Sequence, residues 1–295
     1  MRWRGIGGLA RKILRGLVRE MSSPALVPAL DVVRPYRVCR VHVLRTAQVT
    51  PRMRRITVGG PELATITSGG LDQRIKMLFP LPGQDEPVVP SGSAWYQAYQ
   101  ELPDEVRPPM RTYTVRGFRP SDGELDVDFV LHGDTGPASR WAGAARPGDR
   151  LAIVAPDRRH DPIVGYEYRP SPEHAWSLIA GDETALPAIG AIVESLAAGQ
   201  RALVFAEVAE PSEIQVFATA ADVRFTWACR AGAARPGSLL DAVREAEFPD
   251  GTPYAWIAGE AGGVRQLRRH LVTERSLDKE SLYFSGYWKA GELSS

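Results

Sequence analysis

AWSLIAGDETALPAIGAIVESLAAG, residues 175–199, sets the architecture of the second half of the chain. AWSLIAG is an apolar strand, GDET a turn, and TALPAIGAIVESLAAG a helix. A strand that is apolar along its whole length is buried on both faces, as happens in parallel sheets covered by helices. The pattern then repeats. RALVFAEVA (201–209), VRFTWACR (223–230) and YAWIAGE (254–260) read as strands, while SLLDAVREAEF (238–248) and VRQLRRHLVTE (264–274) read as helices. LYFSGYWKAG (282–291) closes the series as a last strand with an aromatic tail. Residues 173–291 are therefore expected to form a small doubly wound α/β domain, whose ligands would sit beyond the carboxyl ends of its strands.

Upstream the rhythm is different. YRVCRVHVLRTAQVT (36–50), MRRITVGG (53–60), IKMLFPL (75–81), MRTYTVRGFR (110–119), ELDVDFVLH (124–132) and DRLAIVAP (149–156) are short segments rich in Val, Ile, Tyr and Phe. Alternation in RRITV and LDVDFVLH predicts strands with one wet face. Six such strands at close spacing predict a six-stranded antiparallel barrel over residues 36–158, because closure removes exposed edges. The proline-rich stretch from Leu81 to Pro109 reads as a long loop with one helical turn. A short helix is expected near Ser139, and residues 157–172 read as a linker. A barrel placed against the ligand edge of an α/β sheet creates a cleft, where small molecules tend to bind.

Residues 1–35 stand apart. Ile6, Leu9, Ile13, Leu14, Leu17 and Val18 approximate one helical stripe set among basic residues. Weak contact with a membrane surface or a partner through residues 1–20 is one reading; a loosely attached arm or packed terminal helix is the other. Arg11, Lys12, Arg15 and Arg19 interrupt the apolar positions, unlike a secretory signal, so a cytoplasmic setting is expected. No run of eighteen apolar residues suggests a transmembrane span. Thirty-six basic against thirty-five acidic residues leave a net charge of +1, which gives no field for nucleic acid. Cys39 and Cys229 lack metal-ligand spacing and are expected as buried free thiols. The histidines are dispersed and there is no HExxH, so no metal is expected; no GxSxG elbow supports a serine hydrolase.

Three segments carry chemistry. In Arg111-Thr112-Tyr113-Thr114 an arginine fork suits a phosphate, a tyrosine ring a flat heterocycle, and a threonine hydroxyl a ring nitrogen. An ordinary half-exposed strand would carry the same residues. His132-Gly133-Asp134-Thr135-Gly136-Pro137-Ala138-Ser139 follows a strand and precedes a helix, a place where free N–H groups favour a diphosphate; a simple capped turn fits equally well. Ala180-Gly181-Asp182-Glu183-Thr184 ends the first apolar strand, with Thr184 as a helix cap or phosphate contact, and Ala258-Gly259-Glu260 ends a later strand of the same sheet. Glu207 could hold a ribose diol, which would favour NADH.

Taken together, RTYTVR, HGDTGPASRWA, AGDETALPAI, YAWIAGEA and SGYWKAG resemble the siderophore-interacting protein family, in the same order, over roughly residues 36–291. That resemblance implies a flavin-binding barrel, a nicotinamide domain, and reduction of Fe(III)-siderophores with NADH or NADPH so that weakly held Fe(II) leaves. It implies that Arg111, Thr112, Tyr113 and Thr114 hold FAD, with Val130, His132, Thr135, Ala138 and Ser139 around its diphosphate and ribityl chain. Asp182, Glu183, Thr184 and Glu260 would line the nicotinamide side, and Trp288 would lie near the flavin. Lys76 and Lys289 would attract an anionic ferric chelate. No side chain is assigned as catalytic, and the expected state is a monomer. Where many relatives carry a GPRG turn, this chain has Pro156-Asp157-Arg158-Arg159-His160, which leaves NADH versus NADPH open. A general flavin or quinone reductase on the same fold, and a siderophore-binding protein without FAD, are the alternatives.

Overall fold

The computed structural model describes residues 33–90, 92, 94–133, 136–231 and 238–291. Nearly all of the arm expected at 1–35 lies outside the described residues, and so does Thr135. No helix among the described residues is long and apolar enough to cross a membrane.

The first sheet contains β1 (Tyr36–Thr50), β2 (Met53–Gly59), β3 (Arg74–Leu78), β4 (Met110–Thr114), β5 (Gly117–Arg119), β6 (Glu124–Val130) and β7 (Arg150–Pro156). Their order is β4-β3-β7-β1-β2-β6-β5, with every neighbouring pair antiparallel. All six expected segments become strands, but the sheet has seven and does not close. The segment MRTYTVRGFR splits at Val115-Arg116. Val115 N–H donates to the Gln73 carbonyl on one side (2.8 Å), and Arg116 N–H donates to the Asp126 carbonyl on the other (2.9 Å). One stretch of chain thus serves both edges in turn, and crossing the gap uses the residues that a closing ladder would have needed.

The core of this sheet is built from Cys39, Val41, Ile56, Val58, Leu125, Val127 and Phe129. The expected wet face of β6 is not wet: Asp126 is 6% exposed and Asp128 3%. Arginines cover it. Arg119 donates to Asp126 (2.7 Å) beside the Thr57 hydroxyl (2.6 Å), and Arg55 grips Asp128 with two bonds of 2.7 and 2.8 Å. Buried carboxylates persist only when paired in this way. Cys39 is buried as expected, whereas Cys229 is partly exposed; both are free thiols.

Between β3 and β4 the proline-rich stretch contains one short helix, α1 (Trp95–Gln100). A second helix, α2 (Pro137–Ala144), follows β6; it begins at Pro137, two residues before the expected start.

The second sheet comprises β8 (Trp176–Asp182), β9 (Arg201–Val208), β10 (Asp222–Cys229), β11 (Pro253–Glu260) and β12 (Leu282–Trp288), all parallel, in the order β10-β9-β8-β11-β12. Three helices cover it: α3 (Leu186–Ser195), α4 (Leu239–Glu245) and α5 (Ala261–Arg269). Ile189, Ile192 and Val193 of α3 pack on the face that carries Trp256. Val243 of α4 and Val264 and Leu267 of α5 pack on the face that carries Trp176. Both tryptophans are fully buried, and with helices on both faces β8 is buried along its whole length. Strand order reverses between β8 and β11, and their carboxyl ends form the topological switch point.

The stretch 157–172 is pinned rather than slack. Arg159 holds the Asp157 carboxyl down at about 2, well below the usual range. Farther on, the backbone N–H groups of Glu167 and Tyr168 both donate to buried Asp72 at 2.9 Å. The other oxygen of Asp72 accepts from the Trp256 indole at 3.0 Å, so one carboxylate ties the loop before β3 to the linker and to β11. Glu213 makes a second tie, accepting from the Thr50 hydroxyl and from Arg52 N–H (2.9 Å). Arg116 makes a third through a bidentate pair with Glu194 on α3 (2.7 and 2.8 Å).

Candidate functional site

Asp182 ends β8 at the switch point, and its carboxylate is fully engaged. One oxygen accepts from Thr184 N–H (2.9 Å) and the Thr184 hydroxyl (2.5 Å). The other accepts from Glu260 N–H (2.7 Å), at the end of β11, and from the Trp288 indole (2.8 Å), at the end of β12. Burial pushes its pKa up, against the pull of these donors. Two glycines make the arrangement possible. A side chain at Gly259, where φ is +142°, would lie 2.7 Å from the Asp182 carboxylate, and one at Gly181 would lie 2.5 Å from the Ala185 methyl. The Asp182 carboxylate thus staples the ends of β8, β11 and β12 together. Thr184 turns back to Asp182 and does not cap α3, whose start has no side-chain cap.

Glu260 caps α5 through Gly263 N–H (2.8 Å), a bond that lowers its pKa, and accepts from Ala290 N–H (3.3 Å). Glu183 points away from Asp182 to Arg230, which also binds Glu207 (2.9 Å). Glu207 accepts in addition from Leu239 N–H at the start of α4 (2.9 Å). The carboxyl ends of β8, β9 and β10 therefore share one guanidinium between two carboxylates, and the Glu207 carboxylate is already paired.

On the antiparallel sheet, Arg111 is half-buried, and among the described residues it has no carboxylate partner; its one hydrogen bond goes to the Met110 carbonyl (2.9 Å). Arg55, Arg116 and Arg119 on or beside this sheet are matched with acids, and Arg54, also without an acid, is saturated by the carbonyls of Ala142, Gly143 and Ala145 and the Thr46 hydroxyl. An unmatched arginine fork on a strand is the donor set that a phosphate requires. A cavity of about 520 Å³ opens beside it, lined in part by Tyr96, Tyr99, Arg107 and Met110. Tyr113 packs its ring against Phe129 (4.3 Å between centroids) and Phe79, while Thr114 is buried at the strand end. Thr112 faces outward and accepts from Lys76 on β3 (2.7 Å). Burial, with Arg74 nearby, lowers the Lys76 pKa.

Downstream, the Ser139 hydroxyl donates to the Gly133 carbonyl (2.9 Å) and accepts from His132 N–H (3.2 Å). Ser139 is the third residue of α2 and not its cap, which is Gly136. Ala138 is buried in the core of the antiparallel sheet. Val130 packs toward Met53 and the apolar face that α3 shares. Lys289 is exposed directly after Trp288.

Three groups escaped sequence reasoning: Arg230, which closed an expected strand, Asp72, which lay in none of the motifs, and Tyr287, which lay within the aromatic tail. Only Tyr287 had a local signal: two adjacent aromatics in a strand must face opposite sides unless a bulge intervenes. A bulge does intervene, because Gly259 pairs with Gly286 while Glu260 pairs with Trp288. Tyr287 is the extra residue. Its hydroxyl is buried beside Thr114 without a hydrogen bond of normal geometry.

Comparison with known proteins agrees with this geometry. Residues 42–160 match the siderophore-interacting FAD-binding domain, and residues 174–291 match the siderophore-interacting protein family. The NADPH-dependent ferric-chelate reductase of Escherichia coli is 30% identical, the alignment covering 84% of this chain and 91% of that protein. A siderophore utilization protein from T. fusca has a solved structure that superposes with a TM-score of 0.74 at 33% identity, covering 88% of this chain and 95% of the other. The siderophore-interacting protein SipS of Aeromonas hydrophila superposes with a TM-score of 0.68 at 34% identity, covering 88% and 93%. The chain belongs to the siderophore-interacting protein family and carries its FAD-binding domain.

Proposed function

We propose that this chain is an FAD-dependent reductase that takes electrons from NADH or NADPH and delivers them to a ferric siderophore, from which iron leaves as Fe(II). The observation that carries this reading is the joint between the two sheets. The RTYT strand, with its unmatched Arg111, meets the switch point of the parallel sheet through Tyr287 and Trp288. The residues present fit FAD: an arginine fork without an acid and a flat aromatic lie on one strand, with a cavity opening beside the arginine.

When bound, FAD supplies the ability to accept a hydride from the nicotinamide and to release single electrons to iron. In this reading Arg111 neutralises the phosphate charge and Thr114 orients the ring edge. Ser139 ties His132 and Gly133 to the first turn of α2, where a diphosphate would meet the chain. Trp288, 40% exposed and held by Asp182, covers the carboxyl edge where a nicotinamide enters. Asp182 itself acts through Trp288 and Glu260. Lys76 and Lys289 offer positive charge to an anionic chelate, which needs to approach only within electron-transfer range. The setting we propose is the cytoplasm, and the working unit a monomer.

Anaerobic stopped-flow spectroscopy tests the reading. Protein loaded with FAD is mixed with NADH or NADPH and then with a panel of ferric siderophores, with Fe(II) trapped. Bleaching followed by chelate-dependent reoxidation is the expected result. Reoxidation indifferent to the chelate would make the chain a general flavin reductase, and failure to retain FAD would remove the reading altogether.

A further inference from the structure

On the parallel sheet, β9 and β10 lie on the side of β8 away from β11 and β12. In a doubly wound sheet the end of the second strand is where the 2′ position of a dinucleotide's adenosine ribose is read. β9 is that second strand, and Glu207 is its last residue but one. Arg230 follows β10 directly and donates from one nitrogen to Glu183 and to Glu207 (2.9 Å each), and from a second nitrogen to Glu183 again. The trio is within reach of a ligand: the side chains of Arg230, Glu183 and Glu207 are 41%, 21% and 18% exposed.

Donors at this corner are already committed. Leu239 N–H goes to the other oxygen of Glu207 (2.9 Å). The backbone N–H groups of Arg230 and Ala231 go to the carbonyls of Val208 and Ala209 (3.0 and 2.9 Å). Acceptors are not exhausted in the same way, because each carboxylate oxygen has two lone pairs. Two carboxylates against one guanidinium also leave the trio with a formal charge of −1. A ribose 2′-hydroxyl can donate into such a corner. A 2′-phosphate has no proton to give at neutral pH and brings a charge of about −1.5 to −2. To gain a donor it would have to draw Arg230 away from both acids and leave them unpaired.

We propose that Glu183 and Glu207, by holding Arg230 between them, make this chain select NADH over NADPH. The selection works by exclusion, with Glu207 acting through the arginine that it shares with Glu183. The inference rests on the reading that the parallel sheet takes a nicotinamide donor. Partial exposure and salt screening moderate the repulsion, so the expected preference is about ten- to thirtyfold.

The test mixes FAD-loaded protein anaerobically with NADH or NADPH over a range of concentrations. The dissociation constant of each is read from the rate of flavin bleaching. Calorimetric titration with adenosine 5′-monophosphate and adenosine 2′,5′-bisphosphate, which differ only by the 2′-phosphate, gives a second readout without turnover. In both pairs the ligand without the phosphate should bind more tightly. Glu183→Gln removes one charge and loosens Arg230, and the preference should narrow by about fivefold or more. Glu207→Gln, which keeps an oxygen for Leu239 N–H, should narrow it as well. A merely structural loss would weaken both ligands of a pair together and leave their ratio unmoved. Equal affinities in the wild type, a preference for NADPH, or a ratio that neither variant moves would overturn the proposal. A protein bleached by neither nucleotide would overturn the functional reading, and this inference with it.

Discussion

Replacing Asp182 with alanine removes four acceptor contacts at the switch point. The Thr184 hydroxyl can turn elsewhere, and the Trp288 indole is exposed enough to find water. The backbone N–H groups of Thr184 and Glu260, at 2.9 and 2.7 Å, have no such escape. Each buried N–H left without an acceptor costs about 1–3 kcal/mol. Relief of the buried charge offsets part of the sum, and a net loss of about 2–4 kcal/mol is expected. Asparagine should be milder. With its amide nitrogen toward Thr184, the hydroxyl there can rotate to accept, while the amide oxygen still serves Glu260 and Trp288. Only Thr184 N–H is lost, at about 1–2 kcal/mol. Urea unfolding gives the energies, and the indole resonance of Trp288, assigned with Trp288→Phe, reports the latch. The folded pKa of Asp182 is raised above its unfolded value by burial. Its stabilising contribution is therefore present at low pH and lost as pH rises through the folded pKa. The indole resonance should titrate at a higher pH than exposed carboxylates do. Alanine within about 0.5 kcal/mol of wild type, with the resonance unmoved, would refute the staple.

Four other outcomes are expected. Arg111→Lys should weaken FAD binding about tenfold in a fluorescence titration, since a point charge replaces a bidentate fork. Lys76→Gln should lower kcat/KM for an anionic ferric chelate a few-fold at low salt, the gap closing as salt rises. In the wild type that advantage should fade with rising pH, and earlier than for an ordinary lysine, because burial lowers the Lys76 pKa; Lys76→Arg should extend it. Gly259→Ala should cost about 1–3 kcal/mol in urea unfolding, from backbone strain at φ +142° and contact with the Asp182 carboxylate. Glu213→Ala should cost about 1–3 kcal/mol by stranding the Arg52 N–H, and limited proteolysis should find the joint between the sheets loosened.

Most of the fold is legible in residue patterns because burial imposes period and length. The apolar run of β8 and the helix after it could be read directly, since helices cover both faces of that sheet. The split of MRTYTVRGFR could not. Nothing in Thr114-Val115-Arg116-Gly117 distinguishes a continuous strand from one that changes partners, and that choice rests on Gln73 and Asp126, distant in sequence. The dry outer face of β6 was hidden for a similar reason. Asp126 and Asp128 look like solvent positions until Arg55 and Arg119 arrive from other strands. The site divides along the same line. Its glycines and acids were found because a turn at a strand end constrains residue type. Their roles were not, because a carboxylate at a switch point can face a ligand or its own backbone, and the flanking residues are the same in both cases. Asp182 accepts from the backbone of Thr184 and Glu260 and from the Trp288 indole.

This division bears on how the two sheets could work as one device. Carboxylates at the joint are spent on structure: Asp72 on Trp256 and the linker, Glu213 on the β1–β2 turn, and Asp182 on Trp288. What remains without a carboxylate on the flavin side is the Arg111 fork, whose one hydrogen bond goes to the Met110 carbonyl. Saturated acids bring the strands together without competing for a cofactor, and the donors of that fork define an anion-accepting surface. A bound flavin would complete those donors while touching both sheets. Binding should then raise the unfolding midpoint of the whole described unit in a single transition, by an amount that grows with free FAD concentration. Separate transitions, with only one shifted by FAD, would mean that the cofactor sits on the antiparallel sheet alone and that the buried acids merely glue a neighbour to it.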